Sequence, residues 1–247
     1  LVNESVRGQR HNSEQTKQFF DQWNLYQQIV EHDYMAHRSI HAALRVFVVA
    51  QMDKPFTLLD FGCGDASAIL ATFVGTKLQA YTGVDLSPVA LNQAAHNLAA
   101  APFEFKLVED DFTHYLAHNP SERFEAILAG FALHHLYYEE KCEFFKRCQA
   151  KLTQPGYLVL YDVFRRPGET RDEYLQAYCQ HCREDWLQIS SETLSSAMDH
   201  ILTCDYPETY ETLAMMASDA GFTAASAPLF KDSSQFHCLY TFQTQAE

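Results

Sequence analysis

Leu58-Leu59-Asp60-Phe61-Gly62-Cys63-Gly64-Asp65-Ala66 is the stretch on which the fold turns. With Phe56 and Thr57 in front of it, its first half has the length and apolar character of a buried strand. Its second half sets two glycines one residue apart, where that strand must bend into a helix. Glycines at such a bend let the backbone turn sharply and let a ligand approach it closely. A G-x-G by itself is also found in ordinary turns, so its company decides. Asp60 stands two residues before Gly62, where a carboxylate suits a cationic amino group and repels a pyrophosphate.

Outward from this stretch, strands and helices alternate. A helix is expected over 66–74 and a second strand over Ala80–Asp85. Ser87-Pro88 then opens a helix carrying Leu91, Ala94, Ala95 and Leu98 on one face. Strands follow at 103–108 and 124–129, a helix at 139–152, and a strand at 157–163 after the turn Gln154-Pro155-Gly156. This alternation calls for a mostly parallel sheet with helices on both faces. The segment 164–206 breaks the rhythm with a helical pattern rich in Tyr, Arg, His and Trp. A helix after Pro207, ended by Gly221, and a hairpin of strands at 223–230 and 235–242 complete the sheet. Ahead of the first strand, Phe19, Trp23, Tyr26 and Val30 space one helix, and 33–51 forms a second.

The reading is therefore one α/β domain over 1–247. A helical cap spans 13–51, a Rossmann-like core spans 56–163 and 207–247, and a helical lid is inserted at 164–206. The sheet is expected to have seven strands, the last antiparallel. Residues 1–12 are polar and expected to be loose.

Composition narrows the function. Lys and Arg number 18 against 32 Asp and Glu, a net charge of −14, the wrong sign for gripping a phosphate backbone. The seven cysteines are an odd, scattered set, and no secretory or membrane-spanning run is visible, which points to the cytoplasm. Cys179 and Cys182 make a single C-x-x-C with no second pair to complete a zinc site, so no metal is expected.

Three further features join Asp60. Asp85, followed by Leu86, ends the second strand about twenty residues past Gly64, where a carboxylate holds both hydroxyls of a ribose or caps the next helix. Glu109-Asp110-Asp111-Phe112 follows the third strand, where an acid accepts from the adenine amine and Phe112 packs on the ring. Gly130 closes the fourth strand. Together these describe a site for an adenosine with an amino-acid tail.

In order and spacing these motifs resemble those of the class I S-adenosylmethionine-dependent methyltransferases. The resemblance runs from about Phe56 to Phe242. It includes Leu152-Thr153-Gln154-Pro155-Gly156, which is similar to the family's signature before strand five. It implies S-adenosylmethionine as cofactor and S-adenosylhomocysteine as product. It implies Asp60, Gly62, Cys63, Gly64, Asp85, Leu86, Asp110, Asp111, Phe112 and Gly130 around the cofactor, with Asp111 as the adenine-side acid. Ala66 departs from the family where a third glycine often sits.

Methyl transfer is an in-line displacement, and a base matters for a hydroxyl, thiol or protonated amine acceptor. His134 and His135, after strand four, are the candidate bases, or else they shape the pocket wall. Tyr26, Tyr34 and Arg38 on the N-terminal helices, and Arg165, Arg166 and Tyr174 after strand five, are the candidates for holding the acceptor. Helix packing and a solvated loop are the alternatives. The expected function is methyl transfer to an O or N atom of a small molecule by a monomer or homodimer, with no nucleic acid or membrane involved. A carboxy-S-adenosylmethionine synthase-like enzyme on this fold, or a non-catalytic binder of the cofactor, are the competing readings.

Overall fold

A computed structural model describes residues 23–119 and 121–245. Phe19 and residues 1–22, including the start of the expected cap, lie outside them. Two helices, α1 (Trp23–Glu31) and α2 (His37–Gln51), precede the alternating core. The core runs β1 (Phe56–Phe61), α3 (Ser67–Phe73), β2 (Leu78–Asp85), α4 (Pro88–Asn97), β3 (Glu104–Glu109), α5 (Phe112–His118), β4 (Phe124–Gly130), α6 (Tyr138–Lys151) and β5 (Leu152–Val163). Next come α7 (Arg171–Asp185), α8 (Ser191–Cys204) and α9 (Tyr210–Asp219), then β6 (Phe222–Ala224), β7 (Phe230–Lys231) and β8 (His237–Thr244).

The strands form one sheet in the order β3-β2-β1-β4-β5-β8-β6, with β7 also on β8, eight strands rather than seven. β1 to β5 pair in parallel, and β8 runs against β5, β6 and β7. The extra strand arises where 223–230 was read as one strand. Pro228 has no N–H to give, so 225–229 leaves the ladder. Only Ala225 and Leu229 stay tied, donating to Thr241 O and Leu239 O.

Period two puts successive residues of β1 into different cores. Leu59 and Phe61 pack with Ile127, Leu160, Phe145 and Met216 under α6 and α9. Leu58 packs with Leu128, Val159, Leu44 and Ile69 under α2 and α3. The sheet needs both cores, because each face presents a continuous apolar surface.

A third cluster belongs to neither face. Leu25 and Ile29 of α1 meet Tyr174, Tyr178, Cys179 and Cys182 of α7, Trp186, and Ala197 and Ile201 of α8. It sits past the carboxyl end of β5, where Val163 joins it. Both C-x-x-C thiols are buried in this apolar packing. Among the described residues, no helix is long and apolar enough to cross a membrane.

Two element boundaries differ from expectation for local reasons. α2 begins at His37 rather than Asp33, because Asp33 and Ala36 take left-handed conformations (φ 58° and 56°) and the Asp33 carboxylate accepts from the Arg38 amide at 2.9 Å. α5 was not anticipated. It begins where the Asp111 carboxylate accepts from the amides of Thr113 (2.8 Å) and His114 (3.3 Å).

Candidate active site

The strand order reverses between β2-β1 and β4-β5, which opens a crevice at the carboxyl ends of these strands. A cavity occupies that place. Its wall takes Asp60 from β1, Asp85 from β2, Gly130 from β4, and Tyr161 and Val163 from β5. The segment 164–206 adds Tyr178, Trp186, Ala197, His200, Ile201 and Asp205, and the N-terminal helices add Tyr26, Ile29, His37 and His41.

At one end the cavity is shaped by backbone. Gly62 and Gly64 turn the chain with φ of 68° and 53°. Ala66 takes the same left-handed conformation (φ 50°), so the alanine stands in a glycine's geometry. A Cβ on Gly64 would lie 3.2 Å from the Tyr26 hydroxyl, which stands over the loop. The Asp85 carboxylate is fixed by two amides, Gly64 N–H at 2.8 Å and Ser87 N–H at 2.9 Å. These two bonds orient the carboxylate at the cavity wall.

Asp60 is buried and accepts from the Tyr81 hydroxyl at 2.8 Å. Burial pushes its pKa up to about 7; the Tyr81 bond lowers it and the Asp85 charge raises it. Such a carboxylate is poised to gain from a cation placed beside it. Burial, then the charges of Asp65, Asp85 and Asp60, push the Tyr26 hydroxyl well up, so it stays a neutral donor.

At the other end, side chains from distant segments converge. His134 and His135 lie in a short 3₁₀ turn, Leu133–His135, just past β4. Asp162 of β5 holds His134 twice, accepting from its amide at 3.0 Å and contacting Nδ1 at 2.5 Å. Nε2 of His134 and Nδ1 of His135 both face Oδ1 of Asp205, at 3.7 Å and 3.5 Å. All four residues are buried. Burial lowers the His134 pKa, yet Asp162 and Asp205 together raise it above the ordinary value. His135 is lowered by burial and by His134, and His200 falls to about 3 through burial and His135.

This turn is tied to the residues around α8. The Tyr206 amide donates to His134 O at 2.7 Å, and the buried Lys141 ammonium bridges Leu136 O and Tyr206 O. Arg171 donates to Asp205 O (2.7 Å) and Leu202 O (2.9 Å), satisfying carbonyls at the end of α8.

The methyltransferase domain family matches residues 58–156, from β1 into β5 and across the glycine turn, Asp85, Asp110 and His134. Over this stretch the chain carries a methyltransferase domain. It is similar in fold to magnesium protoporphyrin IX methyltransferase from Synechocystis PCC 6803, solved with S-adenosylhomocysteine, at 12% identity and a TM-score of 0.67, covering 95% of this chain and 100% of that one. It is also similar to 1,6-didemethyltoxoflavin-N1-methyltransferase from Burkholderia thailandensis (16% identity, TM-score 0.61, 97% of each chain). A cyclopropane synthase from Mycobacterium tuberculosis shares 20% identity at a TM-score of 0.56, over 78% of this chain and 62% of that one. No curated protein matches the sequence.

Most residues expected around the cofactor of this methyltransferase line one cavity: Asp60, Gly62, Cys63, Gly64, Asp85, Leu86, Asp110, Phe112 and Gly130. Asp111, expected as the adenine-side acid, is not on that wall; its carboxylate starts α5. Asp110 takes the wall position, with His114 Nδ1 2.9 Å from its carboxylate.

Of the residues expected at the acceptor, only Tyr26 reaches the cavity wall, and both histidines do. Tyr34 stacks on Trp186 (5.5 Å, 17°) and its hydroxyl accepts from the Gln188 amide, behind the wall. Arg38 donates to Glu31 O at 2.7 Å and closes the corner between α1 and α2. The Arg165 guanidinium is divided among Pro207 O, Glu169 O and the Glu208 carboxylate, which leaves it little to offer an acceptor. Arg166 lies over the Phe236 ring at 5.6 Å. Tyr174 is fully buried against Tyr178 and Phe236.

Sequence reading missed Asp162, His200 and Asp205. Only Asp162 carried a signal, as a lone acid near the end of an apolar strand. Phe131 was missed too. It holds φ 46°, unusual for a bulky residue, and sets its ring between Tyr161 and His37 in the wall.

Proposed function

We propose that this methyltransferase transfers a methyl group from S-adenosylmethionine to an oxygen or nitrogen atom of a small, flat, largely apolar acceptor. The observation that carries the reading is continuity. The same cavity wall runs from Asp60, Gly64 and Asp85 to His134 and His135, under helices that enclose it. The fit to the cofactor rests on the pinned Asp85 carboxylate, the glycine turn beneath Tyr26, and the buried Asp60 that favours a neighbouring cation. S-adenosylmethionine supplies, when bound, a methyl carbon made electrophilic by the sulfonium beside it.

The chain's own groups do the rest. Asp85 would orient a ribose, Asp110 and Phe112 would border the base, and Asp60 would face the amino-acid tail. Phe131, Tyr178, Trp186 and Ile201 offer an apolar, aromatic chamber and keep water out. Asp162 holds the His134 ring in one orientation, so that Nε2 meets the acceptor end of the chamber. The enclosed chamber weighs against a nucleic acid as acceptor, as does the net charge of −14.

A carboxy-S-adenosylmethionine synthase-like activity would need a cation at the mouth for the added carboxylate, and the bonds of Arg165 weigh against that. The odd, unpaired set of cysteines supports a reducing compartment such as the cytoplasm.

The test is to incubate the protein with S-adenosylmethionine and a panel of phenols and heterocyclic amines, and to follow S-adenosylhomocysteine release and acceptor mass. One methyl gained by a small acceptor is expected. Turnover confined to peptides or nucleic acids, with none on small acceptors, would overturn the reading.

A further inference from the structure

We propose that His134, His135 and Asp205 form a binding site for a divalent transition metal ion at the acceptor end of the cavity. The ion would be zinc-like in its preference for nitrogen and oxygen ligands. One ligand atom from each of the three residues lies within 4.8 Å of the other two, and all three side chains are buried on the cavity wall.

The first argument is from protons. Nδ1 of His134 contacts Asp162 at 2.5 Å, an arrangement that puts its N–H on that carboxylate. Nε2 is then left facing the Asp205 oxygen at 3.7 Å. A cation held between Nε2 and that carboxylate oxygen would accept a lone pair from each. Nδ1 of His135 approaches the same oxygen at 3.5 Å, with the Cys204 carbonyl a weak alternative partner at 3.4 Å.

The second argument is from spacing. These separations are long for hydrogen bonds. They are close to the edge of a ligand tetrahedron, about 3.4 Å when each bond to the metal is about 2.1 Å. His200, its ring 5.3 Å from that of His135, lines the same wall beyond the three grouped ligand atoms. The Asp162–His134 pair supplies the carboxylate that metal-bound imidazoles commonly lean on.

The third argument is from charge. Two buried carboxylates, Asp162 and Asp205, face this cluster. Lys141, the nearby cation, is bound to the carbonyls of Leu136 and Tyr206 rather than to either acid. A bound dication, or a second proton on His134, balances the site. The metal has the further capacity to bind the acceptor's hydroxyl and release its proton to solvent at neutral pH. That use rests on the methyl-transfer reading, whereas the site itself does not.

The test uses the whole chain, freed of metal by a chelator and titrated with Co²⁺ while its visible absorption is followed. Saturation at one equivalent with a visible band is expected. Asp205→Asn and His135→Gln should abolish the band, and Asp162→Asn should weaken binding about 10–100-fold. S-adenosylhomocysteine binding to the same metal-free samples, by calorimetry, reports folding and the cofactor site separately. No saturable Co²⁺ binding by the parent, or equal binding by Asp205→Asn and His135→Gln, overturns the metal site and assigns the charge to a proton on His134. Co²⁺ binding without S-adenosylhomocysteine binding upholds the site and counts against the methyl-transfer reading instead.

Discussion

The two ends of the cavity are built by different means. The end bordered by Gly62, Gly64 and Asp85 is made by one continuous turn and the ends of adjacent strands, so its shape is local. The end bordered by His134, Asp162 and Asp205 is assembled from β4, β5 and the segment 164–206, residues separated by as many as 71 positions in the chain. A ligand common to many enzymes needs one fixed backbone shape, whereas an acceptor needs side chains that vary. The first end should therefore control binding of the cofactor, and the second should control turnover.

The largest effect that would break this division belongs to Asp85. If Asp85 accepts from two ribose hydroxyls as proposed, each charged bond contributes about 1.5–3 kcal/mol, so Asp85→Ala should lower S-adenosylhomocysteine affinity about 100-fold or more. Calorimetry giving near-parental affinity would break the division.

His134→Gln should act in the opposite way. Turnover should drop about 100-fold, the lower range for loss of an acid–base group, with cofactor affinity unchanged. A matching loss of affinity would show that the two ends are not separable.

Proton linkage sharpens the contrast. Asp60 has a pKa raised to about 7, and a cationic ligand stabilises its charged form. Binding therefore expels a proton below that pH, and affinity for S-adenosylmethionine should rise by up to about tenfold per unit as pH approaches 7, then level off. Asp60→Asn should flatten this profile in a binding titration.

The smallest effect concerns Arg165. Arg165→Gln strips Glu208 and two carbonyls of their donor, at about 1–3 kcal/mol of stability by urea unfolding, and should leave the acceptor KM unchanged. A KM shift without a stability loss would return Arg165 to the acceptor site.

The same division explains what the sequence disclosed. Asp60, Gly62, Gly64 and Asp85 were legible because strand ends and glycine turns fix their positions through local backbone geometry. The parallel sheet was legible from the alternation of apolar runs, although the broken strand after Gly221 was not, since Pro228 acts only once a neighbour strand is in place. Asp110 and Asp111 could not be told apart in the sequence, because either can end a strand; α5 engages the Asp111 carboxylate and Asp110 lines the cavity. Arg165, Tyr34 and Tyr174 had the right chemistry for an acceptor site. Their partners, Glu208, Trp186 and Phe236, lie far along the chain, and no spacing rule connects them. Asp205 was invisible for the same reason.

Gly130 and Tyr161 have a consequence for how this enzyme can change. A Cβ at Gly130 would fall 2.0 Å from the Tyr161 ring, so the two positions occupy one volume between them. A side chain at 130 therefore requires the ring at 161 to move aside or shrink, so variation at these two positions should be coupled, with changes at 130 tolerated best alongside a smaller residue at 161.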